Sequence, residues 1–452
     1  MSKHTLLFLD PGHFHATLTL RTPQPRAADE IVVYAPDGPE LRDFLALVDR
    51  FNTRADNPTR WRPLVIPGDD PFDRLVAERR GDVVVLAGRN GGKARTMRRL
   101  HDAGFHVLAD KPWLVSPSDL DEIASSLAGW PLATEMMTGR YDVAARLHKR
   151  LVDTPDVFGR FRSDGPAIEL DGVHQLAKLV DGAPLRRPWW FFDVRVQGRG
   201  AVDIPTHLVD QTQWLLESVE LPQLVSARAW STRVPLKAFH QITGHDTFPY
   251  ELQPFVDGEA LDYSCNAELT YRIGTITARA ATRWDLSATP GAADTSVVIA
   301  RGTRSEIRRE QGPQTGNRRR LFVDLGGVPL AERLERDRVA RAVTETIAAL
   351  QGEFPGVGVT PGVGIAAARG IDAGTSAMTG STRYEVTIPA ALDAGHESQF
   401  ARVLDDFLQA IDEHRWPSAV AERTLAKYRL LADAAARTTR DHATAATREG
   451  HR

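Results

Sequence analysis

The chain has 452 residues, too many for one ordinary domain, and its 42% hydrophobic content is enough to build real cores. A formal net charge of -3, from 56 basic and 59 acidic residues, excludes a general nucleic-acid binder or a polybasic membrane binder. The single cysteine, Cys265, excludes an intrachain disulfide framework and fits a reducing cytoplasm.

Thr5 to Leu9 reads as a short apolar strand, stopped by Asp10-Pro11-Gly12. That run is shorter than the roughly 7–15 residues of a secretory core. No run approaches the ~18–20 residues of a membrane span. A helix is predicted from His13 to Arg21, a strand over Glu30–Tyr34, and a helix from the Pro36–Pro39 turn to about Phe51. Residues 52–72, rich in Arg, Pro and Asp, read as irregular, and Phe72–Arg79 as helical. Asp82–Ala87 is a strand, Gly88–Gly92 a loop, and Lys93–Ala103 a helix stopped by Gly104. Phe105–Ala109 is a strand, a helix runs from Ser116 to about Trp130, and Pro131–Thr134 is a last strand. Strands and helices alternating over short loops predict a doubly wound parallel sheet.

The pattern then changes. Helices are predicted over 141–153, 201–217, 328–351, 397–411 and 418–437, and over Gly172–Val180. Strands are predicted at 157–163 and 191–197, and alternating ones near 223–232, 266–273, 275–284 and 295–301. The latter describe an open antiparallel sheet with one covered face. Residues 352–382, rich in Gly, Ala and Thr, read as a long loop, and 439–452 as a disordered tail. The expected division is 1–133 and 134–438, a Rossmann dinucleotide-binding domain followed by an α+β substrate and oligomerisation domain.

A dinucleotide site wants Gly-x-Gly-x-x-Gly between the first strand and helix, so that backbone can approach the pyrophosphate. Here the segment is Asp10-Pro11-Gly12-His13-Phe14-His15-Ala16, which keeps the middle glycine alone. Asp10 would repel a pyrophosphate. His13 and His15 invite a metal, but residues two apart in a helix do not face each other, so no metal is expected. Asp37 is near the slot of a ribose-binding acid, and is equally readable as a turn aspartate. Asp110-Lys111-Pro112 closes a strand, at the end where open α/β sheets bind ligands. Asp203 and His207 are four apart, on one face of the predicted helix, where a carboxylate can orient an imidazole base.

The order of these motifs resembles the glucose–fructose oxidoreductase/inositol dehydrogenase (Gfo/Idh/MocA) family. Ala109-Asp110-Lys111-Pro112-Trp113 is similar to its Glu-Lys-Pro motif, and Val83 to Asn90 to the strand and loop beside its nicotinamide. Gly198 to Asp210 is similar to its glycine-led Asp-x-x-x-His helix, Thr138 to Asp142 to the opening of its second domain, and Ala426 to Ala435 to its last helix. The resemblance implies an NAD- or NADP-dependent oxidoreductase acting on a sugar, polyol or related small molecule; the lone cysteine fits a cytoplasmic protein, and the open antiparallel sheet fits a homo-oligomer. The resemblance also implies that His207 takes the hydroxyl proton, Asp203 orients His207, and Lys111 stabilises the alkoxide. Cofactor contacts are expected from Gly12, His13, Phe14, His15, Asp37, Gly88, Asn90, Asp110 and Lys111. Substrate contacts are expected from Arg140, Tyr141, His174 and Lys178. The chain departs from the family at Asp10, His15, Pro36, Asp110 and Thr138. Two alternatives stay open: a non-catalytic Rossmann nucleotide or sugar binder, and a redox-neutral NAD-using lyase or hydrolase.

Three further groups read more simply as structure. Trp189 to Phe192 is an aromatic core or interface cluster, His240, His245 and Asp246 a polar loop, and Arg318 to Arg320 a solvated turn.

Overall fold

The computed structural model describes residues 3–180, 183–286, 293–325, 333–361, 383–393, 395–415 and 418–449. Its N-terminal sheet contains β1 (Leu6–Leu9), β2 (Glu30–Ala35), β3 (Arg62–Pro67), β4 (Val83–Leu86), β5 (His106–Ala109) and β6 (Ala133–Glu135). The order is β3-β2-β1-β4-β5-β6, and every pairing is parallel. Strand order reverses between β1 and β4, which opens a crevice at their carboxyl ends. β1, β4 and β5 are buried along their whole length, which is why they read as continuous apolar runs. The helices here are α1 (His15–Leu18), α2 (Pro39–Thr53), α3 (Pro71–Glu78), α4 (Lys93–Asp102) and α5 (Leu120–Ser126).

The second part opens with α6 (Val143–Val152), α7 (Pro155–Phe158), β7 (Pro166–Gln175), the short pair β8 (Leu179–Val180) and β9 (Ala183–Pro184), and α8 (Pro205–Leu216). Next come β10 (Gln223–Pro235), α9 (Leu236–Thr243), β11 (Val256–Asp257), β12 (Ala260–Ile273), β13 (Ile276–Asp285), β14 (Thr295–Arg301), β15 (Glu306–Gln311) and β16 (Arg320–Asp324). The chain ends with α10 (Arg333–Ala349), β17 (Gly358–Pro361), β18 (Arg383–Thr387), α11 (Gln399–Asp412) and α12 (Ser418–Glu449). The large sheet runs β10-β12-β13-β7-β14-β15-β16-β18-β17, with β11 on β12. Among its described pairings β13–β7 is parallel and the others are antiparallel. The predicted class, a Rossmann half followed by an open, mostly antiparallel α+β half, is the observed one. No helix of the described residues is long and apolar enough to cross a membrane.

One substitution of parts shapes the crevice. α1 is four residues long, far shorter than the predicted His13–Arg21 helix. The sheet face that a full first helix would cover is covered by α11. Its Phe400, Val403, Leu404, Phe407 and Ile411 share one core with Leu6, Phe8, Val33 and Val85. The two parts thus bury apolar surface against each other, at about 25 cal/mol per Å².

Several local expectations are corrected. Residues 52–72 contain β3, an edge strand whose alternately exposed residues and two prolines hide it. Gly172–Val180 is not a helix, because β7 runs to Gln175 between two partner strands. Residues 157–163 hold the end of α7 and an isolated bridge from Phe161 to Gly302, not a strand. The predicted strand 191–197 is a helical turn, Trp189–Phe192, followed by further turns. α8 begins at Pro205, not at residue 201, since proline suits only a first turn. The 352–382 loop contains β17, and its residues 362–382 lie outside those described, as do 328–332 of the predicted 328–351 helix. α12 continues through Glu449, and residues 450–452 of the predicted tail also lie outside.

His4 pins the N-terminus to this arrangement. Its Nδ1 lies 2.5 Å from Asp82 and its Nε2 3.2 Å from Asp412 of α11. The hydrogen bond to Asp82 raises its pKa, against the opposing pull of burial. A raised imidazole pKa stabilises fully below the unfolded value and loses that contribution as pH rises through the folded pKa. Urea midpoints should therefore fall more between about pH 6 and pH 8 in the native chain than in His4→Gln. Equal pH slopes would refute the linkage.

Candidate active site

The crevice is built from the first turn upward. Asp10 adopts φ 43, the left-handed conformation that a glycine ordinarily supplies. Gly12 N–H donates to the Asp10 carbonyl at 2.8 Å and His13 N–H to that of Ala87 at 3.0 Å. Gly88 must be glycine, because a Cβ there would stand 2.5 Å from the Asp10 carbonyl oxygen. The Asp10 carboxylate faces Arg89 at 3.3 Å, and Arg89 also reaches Glu40 at 3.0 Å. Trp190 donates its Nε1–H to Glu40 at 3.0 Å and lies beneath the Arg89 guanidinium. It also packs near Gly12, where a Cβ would come within 3.4 Å of its ring.

The turn aims two imidazoles across the strand ends. His13 and His15 Nδ1 lie 3.3 and 2.9 Å from the same Asp110 oxygen, and their rings are 4.2 Å apart. The helix rule applied to them does not hold, because His13 sits in the turn before α1 and only His15 is in the helix. Burial lowers both imidazole pKa values, that of His15 to about 3. Burial pushes the Asp110 carboxyl up, but the two imidazoles beside it hold it well below the usual range. Phe14 packs against both rings, and Phe400 of α11 against His15 at 4.4 Å.

Lys111 follows at the end of β5. Its Nζ donates to Asp203 Oδ1 at 2.5 Å, and both side chains are buried. This pair joins the two halves of the molecule. Asp203 stands in the turn before α8, and His207 in its first turn. Among the described residues no hydrogen bond joins Asp203 to His207, so the expected orienting contact is replaced by the pair with Lys111. Burial and then the Lys111 charge drive the His207 pKa well below its ordinary value, so the ring is neutral. A neutral imidazole can accept a proton.

Gly200 sets the position of Asp203. Its N–H donates to the Ser264 carbonyl at 2.9 Å, and a Cβ would stand 2.4 Å from the Cys265 carbonyl carbon. Gly200→Ala should push this turn off β12 and lower kcat/KM by about 10²-fold, since a misplacement of about 1 Å costs that much. Unchanged kinetics in a folded variant would sink the claim.

The other expected residues are spread more widely. Asn90 is buried, donates to the Gln197 carbonyl at 2.9 Å, and accepts from Lys93 Nζ at 2.5 Å. Asp37 is exposed and pairs with Arg42 at 3.3 Å, away from the imidazole cluster. Arg140 makes a two-pronged contact with Asp210 of α8, and the Tyr141 hydroxyl donates to Asp406 at 2.6 Å. Arg140 and Tyr141 line a small cavity with Glu135 and Asp210. His174 and Lys178 do not share a helix face; they meet on Asp294, at 3.4 and 3.0 Å.

Sequence reasoning missed four groups. Lys93 is buried and donates to the Asp110 carbonyl at 2.8 Å, and burial lowers its pKa to about 8. Arg187 is buried within the field of both Asp203 and Asp294. His396 is packed on Phe400 at 5.4 Å. Arg89 stands against Asp10. Only Lys93 had a usable signal, a lysine opening a helix from a glycine loop.

Comparison with known proteins gives the same architecture. The family model described as "Putative oxidoreductase C terminal domain" matches residues 147–439. The crystal structure of a "putative oxidoreductase" from Parabacteroides merdae is 31% identical, with a TM-score of 0.87, covering 97% of this chain and 98% of that one. Levoglucosan dehydrogenase in complex with NADH and levoglucosan is 15% identical, with a TM-score of 0.59, covering 98% of each chain. GenD2 from gentamicin A biosynthesis, in complex with NAD, is 13% identical, with a TM-score of 0.55, covering 98% of this chain and 95% of that one. The last two likenesses are of fold. No curated protein matches the sequence.

Proposed function

Because the chain belongs to the "Putative oxidoreductase C terminal domain" family, among oxidoreductases of Gfo/Idh/MocA type, we propose that it moves hydride between NAD or NADP and a hydroxyl or carbonyl carbon of a sugar, polyol or related small molecule. The observation that carries this reading is the buried Lys111–Asp203 pair, which brings a strand end of the nucleotide half to the turn before α8, beside His207.

The residues present fit a dinucleotide. The left-handed Asp10 and the glycines at 12 and 88 leave backbone close to the crevice, as pyrophosphate needs. Arg89 tempers the objection to an acid at the first position: it pairs with Asp10 and Glu40 together and offsets part of their charge. Gly12, Phe14, Gly88 and Arg89 would hold the phosphate side. His13, His15, Asn90, Asp110 and Lys111 would lie toward the nicotinamide, and Asp37 toward a ribose. The bound nicotinamide accepts or gives the hydride.

The chain's own residues do the rest. His207, neutral and half-buried, accepts the substrate hydroxyl proton at an imidazole nitrogen. Lys111 donates a hydrogen bond to the oxygen as it gains charge. Asp203 fixes the Lys111 ammonium in a buried setting, the revised role that its geometry supports. Arg140, Tyr141, His174 and Lys178 frame the substrate side, and their existing partners hold them in place. Reduced-nicotinamide formation with a panel of sugars and polyols tests the reading. A native chain silent with both cofactors would defeat it.

The same reading includes cytoplasmic placement, supported by the lone buried Cys265, and self-association through the open sheet of the second part. The expected division at residue 133 falls inside β6, so the reading includes a nucleotide part that runs through Glu135 and a substrate and oligomerisation part after it. The edge strand β10 exposes Val225, and Leu221 before it is exposed too.

A further inference from the structure

We propose that His13, His15 and Asp110 bind one divalent transition-metal ion of the zinc class, at the substrate end of the crevice. This rests on the oxidoreductase reading of the same site.

The donor atoms carry the argument. One ligand atom from each residue lies within 4.8 Å of the others. The two imidazole Nδ1 atoms stand 3.3 and 2.9 Å from a single Asp110 oxygen. Ligands about 2.0–2.1 Å from a tetrahedral ion are themselves about 3.3 Å apart. The set is therefore close to coordination spacing before any ion arrives.

A second observation points the same way. His13 Nδ1 is buried and lacks an aligned hydrogen-bond partner. A buried polar atom without a partner is costly. One carboxylate oxygen serves His15 well and His13 badly, whereas an ion between the three would satisfy both rings.

The surroundings resemble an outer shell. Asp110 Oδ1 accepts the Lys111 backbone N–H at 2.9 Å, which leaves Oδ2 aimed at the imidazoles. Lys93 holds the Asp110 carbonyl at 2.8 Å. Such contacts orient ligands and raise affinity. Phe14 and Phe400 pack on the rings and keep them in place.

Two histidines and one carboxylate leave a fourth position open, the pattern of catalytic and not of closed structural sites. The substrate oxygen would take that position. The ion would lower the hydroxyl pKa, and His207 would receive the proton.

The test uses the full chain, stripped with a chelator and dialysed against Co²⁺ or Zn²⁺. Metal content is read by mass spectrometry and coordination by the visible bands of cobalt. The expected result is about one equivalent, with cobalt bands of a low-symmetry site. Both should be lost in His13→Ala and in His15→Gln, folding being checked by circular dichroism. His240→Ala, on α9, should keep both. No bound cobalt, or cobalt retained equally in His13→Ala and His15→Gln, overturns the proposal. Thermal stabilisation by NAD or NADP is measured in parallel. If it persists without metal uptake, the metal site alone fails. If metal binds and neither cofactor stabilises the chain, the oxidoreductase reading fails.

Discussion

Lys111→Met is expected to lower kcat by about 10²–10³-fold, the effect of removing one donor from a developing oxyanion. The change also leaves the Asp203 carboxylate buried and unpaired, so the single variant loses stability as well as activity. A second variant separates the two effects. Lys111→Met with Asp203→Leu removes the whole ion pair, and such replacements are often neutral or stabilising. The double variant should regain the thermal midpoint and stay inactive. If activity returned with stability, Lys111 would be a bridge between the two halves and nothing more. His207→Ala should cost about 10²–10⁴-fold, as loss of a general base does. Its effect should shrink at high pH, where hydroxide competes as the base.

Lys427→Met is expected to destabilise the protein by about 3–5 kcal/mol, the cost of stranding a buried charge. Lys427 is fully buried in α12, 2.5 Å from Glu135 at the end of β6 and 3.4 Å from Asp210 on α8. Glu135 also accepts from the Tyr428 hydroxyl, whose oxygen in turn accepts the Trp113 backbone N–H at 2.8 Å. One residue pair thus clamps the last helix to the nucleotide half, just behind Lys111. Arg140 remains for Asp210, so Glu135 is the group left short. Burial already raises its pKa, despite Lys427. Without Lys427 it would rise further, and the variant should recover stability as pH falls and the carboxyl takes up a proton. Urea unfolding at two pH values checks this. A loss under about 1 kcal/mol would mean that water or rearrangement replaces the lysine.

Much of the fold was legible because burial forces composition. β1, β4 and β5 are covered on both faces, so Leu6 to Leu9 and Val83 to Leu86 had to be apolar. β3 is an edge strand and had no such constraint. β7 did carry a signal: Ile168 and Leu170 face in while Glu169 and Asp171 are less buried, but Gly172 and the polar residues after it suggested a helix. Within the site, Lys111 and Asp203 were legible because a strand end and a glycine-led turn are local features. Their pairing with each other was not, for it depends on how the two halves dock. The convergence of His13 and His15 on Asp110 was hidden by assuming a full-length first helix. Its shortness becomes intelligible only with α11, nearly 400 residues later, which covers the face that α1 leaves open. Arg187 reaches the field of Asp203 from a separate segment, and no local pattern marks it.

The central claim is that His207 and Lys111 work on a hydroxyl beside a nicotinamide. The most direct measurement is transfer of deuterium from a sugar or polyol labelled at the oxidised carbon, followed in the recovered cofactor by mass spectrometry. The account predicts label in the reduced NAD or NADP from the native chain and little from His207→Ala or Lys111→Met. Label transferred equally by all three proteins, or none transferred by the native chain across the panel, would contradict it.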